Sequence, residues 1–380
     1  MRGSVVKRGA GYSVKIELNR NPVTGKRQQK WHSGYRTKKE AEKARVDLLA
    51  KLDHGVYVAP AKQTLADFLL EWMDARATSL KPTTAAAYAD IIRAHIVPRI
   101  GSVPLQKVDG ALLDRFYGDL LRDGRRDGRG GLAPKTVRNI DGVLNKAFRD
   151  ALRWQRVIRN PVDAATPPSK QQTETPIWSP AQLRAFLSHV TSDRHFALYV
   201  LAATTGLRRG ELAGLRWDDV DLETSQIRIV EARVIAGSHP VTGSPKSARS
   251  RRTIGVDPVT VTALRAWRKL QAEERLAMGS GWPGVPQVFT DSDGQPVHPQ
   301  RMTRHFNAHV RSAGLPTIRL HDVRHSYATA ALAAGERIEV VSRRLGHANV
   351  SVTMNIYAHV TAADDVATAE RVAASIFGGG

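Results

Sequence analysis

Apolar and polar positions follow different periods along the chain, and the changes of period divide it into three stretches. In the first stretch, GYSVKIELNR alternates between apolar and polar residues, NPVTGKRQ is rich in turn residues, and TKKEAEKARVDLLAKLDHG repeats its apolar residues with a helical period. This pattern predicts two or three short strands and a helix.

The second stretch has apolar residues at spacings of three and four, the pattern typical of amphipathic helices, and most of the repeats follow a Thr or Pro start. Four segments share this spacing: TLADFLLEWMDA, PTTAAAYADIIRAHIV, GALLDRFYGDLLRDG and APKTVRNIDGVLNKAFRDALRW. We therefore expect a helical bundle here, and its basic outer faces suit a duplex backbone.

The third stretch mixes helical segments with a predicted hairpin. Its strands are SQIRIVEARV (225–234) and RRTIGV (251–256), and the Gly- and Pro-rich segment IAGSHPVTGSPKSARS joins them. Two aperiodic segments separate the three stretches, HGVYVAPAKQ (54–63) and TPPSKQQTETP (166–176). At about 100 to 200 residues per domain, 380 residues also predict two or three domains.

Charge changes this picture, because 57 Lys and Arg face 36 Asp and Glu, a net charge of +21. Positive charge is densest in the first 60 residues, and such a surplus suits a polyanionic partner. The longest apolar run, Phe196 to Ala203, falls far short of the roughly 20 residues that span a bilayer. The N-terminus lacks a signal-peptide pattern, and zero cysteines exclude disulfides and thiolate chemistry. We expect a cytoplasmic protein that binds nucleic acid.

Three segments of the last stretch contain candidate chemistry: TTGLRRGELAGLRWDDVD (204–221), RLHDVRHSYAT (319–329) and LGHANVSVTMNIYAHV (345–360). Each is weak alone, since a single Arg in a basic protein is usually a surface residue. His321 and Arg324 share one face of a helix at a spacing of three. His321 and His325, with His347 as a third ligand, could imitate a zinc helix, but Asp322 replaces the required Glu, so we predict no metal site.

Lysine usage gives an independent indication, because residues 171–380 contain 22 arginines and only Lys246 and Lys269. A lysine can be tuned to release a proton, whereas an arginine stays charged. Lys246 lies in the hairpin loop, where a general acid could reach a site, although a solvated loop charge is the simpler interpretation. Lys269 follows a helical pattern and has the character of a surface residue.

Phosphodiester transfer is a reaction that uses such groups without a metal or a nucleotide cofactor. Arginine forks stabilise the charge that develops on the nonbridging oxygens, a tyrosine can form a covalent intermediate, and a lysine can protonate the leaving 5′ oxygen. The chain contains three tyrosines after residue 171. Tyr199 and Tyr327 lie in apolar or helical patterns typical of core packing, and Tyr357 lies in a polar stretch between two histidines. From residues alone, nucleophile and core aromatic are equally favoured for Tyr357.

These segments together resemble the tyrosine recombinases, and more narrowly the integrases of phages and integrative elements. The resemblance covers residues 60 to 360, in the order TGLRRGEL, PKSARSRRTI, RLHDVRHSYAT and LGHANVSVTMNIYAHV. It implies that the catalytic residues are Arg208, Lys246, His321, Arg324, His347 and the nucleophile Tyr357, with Glu211 as a supporting acid. It implies no cofactor and no metal.

The resemblance also implies a multidomain, mainly α fold with small β-sheets. A small arm-binding domain of three strands and a helix (1–58) and a helical, SAM-like core-binding domain (61–165) would precede the tyrosine-recombinase catalytic fold (175–380). The implied partners are double-stranded DNA attachment sites and three further copies of the chain, with a directionality factor or a host DNA-bending protein as possible additions. In this family a C-terminal helix often docks on a neighbouring protomer.

The implied reaction is site-specific integration and excision of a phage or mobile element through a 3′-phosphotyrosyl intermediate and a Holliday junction, on nucleoid DNA in a bacterial cell. Three alternatives stay open. They are a type IB topoisomerase with the same tyrosyl chemistry, a resolvase or chromosome-dimer recombinase, and a DNA-binding regulator without catalysis. The arm-like first domain favours an integrase, and a complete set of competent residues speaks against the regulator.

Overall fold

The computed structural model describes residues 3–18, 25–53, 58, 61–170, 176–243, 251–347, 349 and 354. The chain divides into two compact units, Met1–Gln172 and Thr173–Gly380. No helix in these described ranges is long and apolar enough to cross a bilayer.

The N-terminal part of the first unit is a three-stranded antiparallel sheet with a helix packed on it, as the alternation predicted. Its elements are β1 (Gly3–Arg8), β2 (Gly11–Leu18), β3 (Gln28–Tyr35) and α1 (Lys38–Asp53). β2 is the central strand, and its alternate residues Val14 and Ile16 form a small core with Ala41 of α1. The polar residues between them are left for the opposite face of the sheet.

The rest of the first unit is helical, and most of its helices begin close to the Thr and Pro positions expected from the sequence. They are α2 (Leu65–Arg76), α3 (Pro82–Ile91), α4 (Val97–Ile100), α5 (Gly110–Asp123) and α6 (Pro134–Arg153). Thr64 and Asp109 cap α2 and α5 by accepting hydrogen bonds from backbone N–H groups in the first turn. The single helix expected over residues 82–97 is instead two helices joined by a π-helical turn, Ile92–Ile96.

A buried carboxylate joins two of these helices. Asp150 of α6 accepts a hydrogen bond of 2.7 Å from the indole nitrogen of Trp72. It also accepts hydrogen bonds of 2.8 and 2.6 Å from Nε and Nη2 of Arg76, which lies on α2 together with Trp72. Arg153, one turn further along α6, pairs with the same carboxylate. Removing any of these donors would leave a buried charge or a buried polar group with fewer partners.

In its described residues, the second unit places seven α-helices around two small groups of strands. The helices are α7 (Pro180–His189), α8 (Phe196–Thr205), α9 (Arg209–Gly214), α10 (Pro258–Met278), α11 (Pro299–Ser312), α12 (Asp322–Ala333) and α13 (Ile338–Leu345). The strands are β4 (Val220–Asp221), β5 (Gln226–Ile229), β6 (Ala232–Ala236), β7 (His239–Gly243) and β8 (Arg252–Gly255). α8 is apolar on nearly every side and lies in the main core of the unit.

The predicted hairpin is only partly correct. β5 and β8 pair antiparallel, with Gln226 opposite Gly255 and Ile229 opposite Arg252, and β4 adds to the other edge of β5. The expected first strand, 225–234, is not continuous, because residues 232–236 leave the sheet and form a separate hairpin with residues 239–243. A Gly-containing turn at residues 237–238 within the expected loop explains this second hairpin.

Candidate active site

A sharp reversal after α8 positions the first candidate arginine. Gly206 ends α8 with a φ of 64°, a left-handed conformation that suits glycine. A Cβ at this position would lie 2.7 Å from side-chain atoms of Leu345 and of Tyr327, so the packing also requires glycine. The chain then starts α9 at once, and Arg208 becomes the residue that precedes this short helix.

Arg208 is held from two sides. Its Nη1 donates to Oε1 of Glu211 at 2.7 Å, and its backbone N–H donates to Oε2 of the same carboxylate at 2.9 Å. Its Nη2 donates to the carbonyl oxygen of Gly346 at 2.9 Å. The spacing of three residues, which places both groups on the first turn of α9, makes the contact with Glu211 possible.

Glu211 is a buried carboxylate, with 2% of its side chain exposed, and a second arginine completes its environment. Nη1 and Nη2 of Arg252 donate to its two oxygens at 3.1 and 3.0 Å. Burial by itself would raise the pKa of Glu211, but the hydrogen bonds and charges of Arg252 and Arg208 outweigh burial and hold this pKa below its ordinary value. The carboxylate is therefore charged at neutral pH.

Arg324 lies in the first turn of α12 with only 3% of the residue exposed. Its Nη1 donates to the carbonyl oxygen of Gly206 at 2.9 Å, and its Nη2 donates to that of Leu345 at 2.7 Å. Within the described residues it forms no salt bridge with a carboxylate. Burial, and then repulsion by Arg208, lower the pKa of Arg324 to about 9, so it stays a cation at neutral pH.

The C-terminus of α13 brings these arginines together. The three consecutive carbonyl oxygens of residues 344–346 accept hydrogen bonds from Arg252, Arg324 and Arg208, which come from three separate segments of the chain. The last carbonyls of a helix have no partner within the helix and lie at the negative end of its dipole, so they attract cations. One helix end thus gathers three guanidinium groups.

Two histidines lie beside this cluster. His321 precedes α12 and keeps part of its surface exposed, whereas His347 is half-buried just after α13. Desolvation by the surrounding protein, then the charges of His325 and Arg324, lower the pKa of His321 to about 4. Burial, then the positive charges of Arg324 and Arg208, lower the pKa of His347 to about 4. Both imidazoles are neutral at pH 7.

The zinc interpretation gains no support from this geometry. His321 and His325 face each other with perpendicular rings, their centroids 5.4 Å apart. No group of three or more His, Asp or Glu side chains in the described part of the chain could hold a metal ion.

Two of the predicted catalytic residues, Lys246 and Tyr357, lie outside the described residues. The other two tyrosines have packing roles, as expected. Tyr199 is buried in the main core, and Tyr327 packs between α12 and α13, where its hydroxyl accepts a bond of 2.6 Å from Nε of Arg344. The catalytic roles assigned from the resemblance stay predictions.

Arg252 is the member of the cluster that the sequence reading missed. The residues of β8 alternate, so that Arg252 and Ile254 take inward positions and Thr253 and Gly255 face outward. An arginine two residues before a core isoleucine in a predicted strand was the available signal. A buried arginine needs an anionic partner, and Glu211 is that partner here.

Comparison with known proteins decides the family. Residues 179–364 match the phage integrase family, residues 64–121 match the phage integrase N-terminal SAM-like domain, and residues 4–52 match an arm DNA-binding domain. The chain belongs to the phage integrase family of tyrosine recombinases. This recombinase has the three kinds of domain expected from the sequence, in the expected order.

Relatives of similar length support this membership. The recombinase is 29% identical to the "Tyrosine recombinase XerC-like" protein of Caldanaerobacter subterraneus subsp. tengcongensis, over 92% of each chain. It is 25% identical to the ICEBs1 integrase of Bacillus subtilis, over 92% of this chain and 93% of the relative. Relatives at this distance share the enzyme family of the recombinase.

Solved structures show the same fold. The Tn1549 transposon integrase in complex with a circular intermediate DNA aligns with a TM-score of 0.68 at 23% identity, covering 82% of this chain and 99% of that chain. A lambda integrase tetramer bound to a Holliday junction aligns with a TM-score of 0.56 at 16% identity, covering 91% of this chain and 92% of that chain.

Proposed function

We propose that this recombinase is an integrase that cuts and rejoins double-stranded DNA at specific attachment sites, with Tyr357 as its nucleophile. The observation that carries the proposal is the placement of Arg208 and Arg324. Both guanidinium groups are fixed on neighbouring carbonyls of one helix end, beside the neutral His347. Two fixed cations at one point form a site for a single anionic group, and a phosphodiester is such a group.

The reaction then follows from the chemistry of phosphodiesters. The Tyr357 oxygen forms a bond to phosphorus, the bond from phosphorus to the 5′ oxygen breaks, and the DNA keeps a 3′-phosphotyrosyl link. Arg208 and Arg324 stabilise the charge that develops on the nonbridging oxygens. Lys246 gives a proton to the leaving 5′ oxygen, and His321 accepts the phenolic proton while His347 orients the phosphate.

The wider organisation is part of the same proposal. Residues 1–58 bind arm-type DNA sites, residues 61–165 bind the core site, and residues 175–380 carry out catalysis. Four copies pair two sites and exchange strands through a Holliday junction, as the structural relatives bound to DNA suggest. The enzyme acts in the bacterial cytoplasm on nucleoid DNA, and a directionality factor or a DNA-bending protein sets the direction of exchange.

The test is adduct formation without metal or ATP. Wild-type protein and Tyr357→Phe are incubated with fragmented host and element DNA in EDTA, and SDS-resistant protein–DNA adducts are isolated and sequenced. We expect adducts from wild type alone, on a small set of sequences.

Other results would favour other functions. Relaxation of any supercoiled plasmid without site preference would favour a type IB topoisomerase. Specific fragment binding without adducts from either protein would favour a regulator. Adducts from Tyr357→Phe at the wild-type level would remove Tyr357 as the nucleophile.

A further inference from the structure

We infer that Arg252 is a positioning residue for the recombination chemistry, which orients Arg208 through their shared carboxylate, Glu211. The inference rests on the proposed function, because it concerns the same phosphate site. Nε, Nη1 and Nη2 of Arg252 are all bonded to protein atoms, so it supports the arginines that contact DNA and does not contact the phosphate itself.

All three nitrogens of the Arg252 guanidinium bind protein atoms. Nε donates to the carbonyl oxygen of Arg344 at 2.6 Å, and Nη1 and Nη2 donate to the two oxygens of Glu211. A planar fork can hold a carboxylate with two nitrogens and a carbonyl with the third, whereas a lysine ammonium has no such fixed geometry. Arg252 therefore connects β8 to α9 and to the end of α13.

A second contact between β8 and α13 reinforces the connection. Nη2 of Arg344 donates to the carbonyl oxygen of Gly255 at 2.7 Å. Arg252 thus bonds the backbone of α13, and Arg344 bonds the backbone of β8. These two contacts fix the position of the C-terminus of α13 relative to β8. The same C-terminus supplies the carbonyl oxygens that bind Arg208 and Arg324.

Charge explains why the position of Arg208 depends on Arg252. With Arg252 present, the Glu211 carboxylate is shared, and Arg208 contributes one nitrogen to it and a second to the carbonyl of Gly346. Without Arg252, Arg208 would be the only cation bound to a buried carboxylate, and such an anion binds its remaining partner more strongly. Arg208 would then turn toward Glu211 and away from the phosphate.

The experiment is a double-mutant cycle in the full chain, measured by single-turnover cleavage of the DNA site that adduct sequencing identifies. We expect Arg252→Ala to slow cleavage about 100-fold, similar to the loss of one donor to a developing anion. Site binding on native gels should stay within about 2-fold of wild type, because the phosphate contacts elsewhere are unchanged.

The second half of the cycle separates positioning from general support of the fold. Glu211→Gln should slow the wild-type enzyme, but in the Arg252→Ala background it should raise the rate about 10-fold, because it removes the unpaired charge that attracts Arg208. A loss of folded protein cannot produce this change of sign. Arg228→Ala is the matched control, since Arg228 lies opposite Thr253 of β8 and its side chain bonds Asp218 and Asp219, which belong neither to α9 nor to α13.

Arg252→Lys keeps the charge and tests the same point if the alanine variant does not fold. We expect a folded protein that cleaves about 10-fold more slowly, because one nitrogen replaces three. Wild-type cleavage by folded Arg252→Lys or Arg252→Ala would overturn the inference, as would a failure of Glu211→Gln to raise the rate. If wild type itself forms no adducts, the proposed function fails, which is a distinct result.

Discussion

Two buried carboxylates of this recombinase, Asp150 in the helical region and Glu211 in the catalytic unit, each bind two arginines, but they do so in opposite ways. Arg76 directs both of its bonding nitrogens at Asp150, and Trp72 adds a third donor from the same helix. Arg208 and Arg252 divide their nitrogens between Glu211 and the carbonyl oxygens at the end of α13.

The difference separates an ion pair that joins helices from one that, under the proposed function, prepares the phosphate site. At Asp150, Arg76 balances the negative charge, and the second arginine, Arg153, is largely exposed to solvent. At Glu211, Arg208 and Arg252 share one carboxylate, and Arg324 lies beside them on backbone carbonyls, so three positive charges accompany one negative charge in this cluster. Backbone carbonyls orient such cations without neutralising them, and a DNA phosphate can then supply the missing negative charge.

The largest effect should follow loss of Arg324. We expect Arg324→Ala to slow single-turnover cleavage by about 1,000-fold, because a fixed donor to the developing anion is removed. Binding of the DNA site should persist, since most phosphate contacts come from other basic surfaces. Arg265→Ala is the control in the same unit, where the pair with Glu223 is exposed. A cleavage rate near wild type in Arg324→Ala would contradict the assignment of this arginine to the phosphate.

The second effect concerns stability rather than chemistry. We expect Asp150→Ala to lower the free energy of unfolding by about 3 kcal/mol, because it leaves the buried indole N–H of Trp72 and the Arg76 guanidinium without their acceptor. Urea denaturation measures the change. Asp119→Ala removes an exposed pair with Arg122 and should change stability by less than about 1 kcal/mol. Equal losses in the two variants would mean that burial of Asp150 is irrelevant.

The fold was largely predictable because it depends on periodicity. The strand-and-helix module, the helices of residues 61–170 and the pairing of β5 with β8 all follow apolar spacing that is visible in the sequence. The π-helical turn at Ile92–Ile96 and the hairpin of β6 and β7 were not predicted. They depend on local turn geometry and on packing between segments, and apolar spacing reports neither.

The sequence nominated members of the candidate site but could not predict their arrangement. Motif order indicated Arg208, Glu211, His321, Arg324 and His347, and the structure brings these residues to neighbouring positions. The role of the carbonyl oxygens of residues 344–346 could not be predicted from the sequence. Every residue has a carbonyl group, and only the fold decides which of them lack a hydrogen-bond partner within a helix.

The burial of His321 and His347, reinforced by the positive charges around them, should also appear in the pH dependence of stability. The pKa of His321 and of His347 lies near 4 in the folded chain and near 6.5 when unfolded. Between these values the unfolded state binds more protons, so the folded state loses stability as pH falls from about 6.5 toward 4. His347→Gln should make thermal unfolding less dependent on pH in this window. Identical pH dependence in wild type and variant would contradict the lowered pKa of His347 in the folded chain.

The smallest effect should distinguish the two arginines at Asp150. Arg153 is one turn away on α6 with 63% of its side chain exposed, so water replaces its contact at little cost. Arg153→Ala should reduce the free energy of unfolding by at most about 0.5 kcal/mol, while Arg76→Ala, which removes a two-nitrogen contact between helices, should cost about 1 to 2 kcal/mol. Urea denaturation of both variants gives the comparison.

The ratio of the stability losses in Arg76→Ala and Arg153→Ala tests the distinction between Asp150 and Glu211. A much larger loss for Arg76→Ala would mean that Asp150 depends mainly on Arg76, which directs both of its bonding nitrogens at this carboxylate. Equal losses would mean that Asp150 is shared in the way that Glu211 is shared by Arg208 and Arg252. In that case the sharing of a carboxylate would not by itself distinguish the candidate active site, and the distinction would rest on the carbonyl contacts at the end of α13.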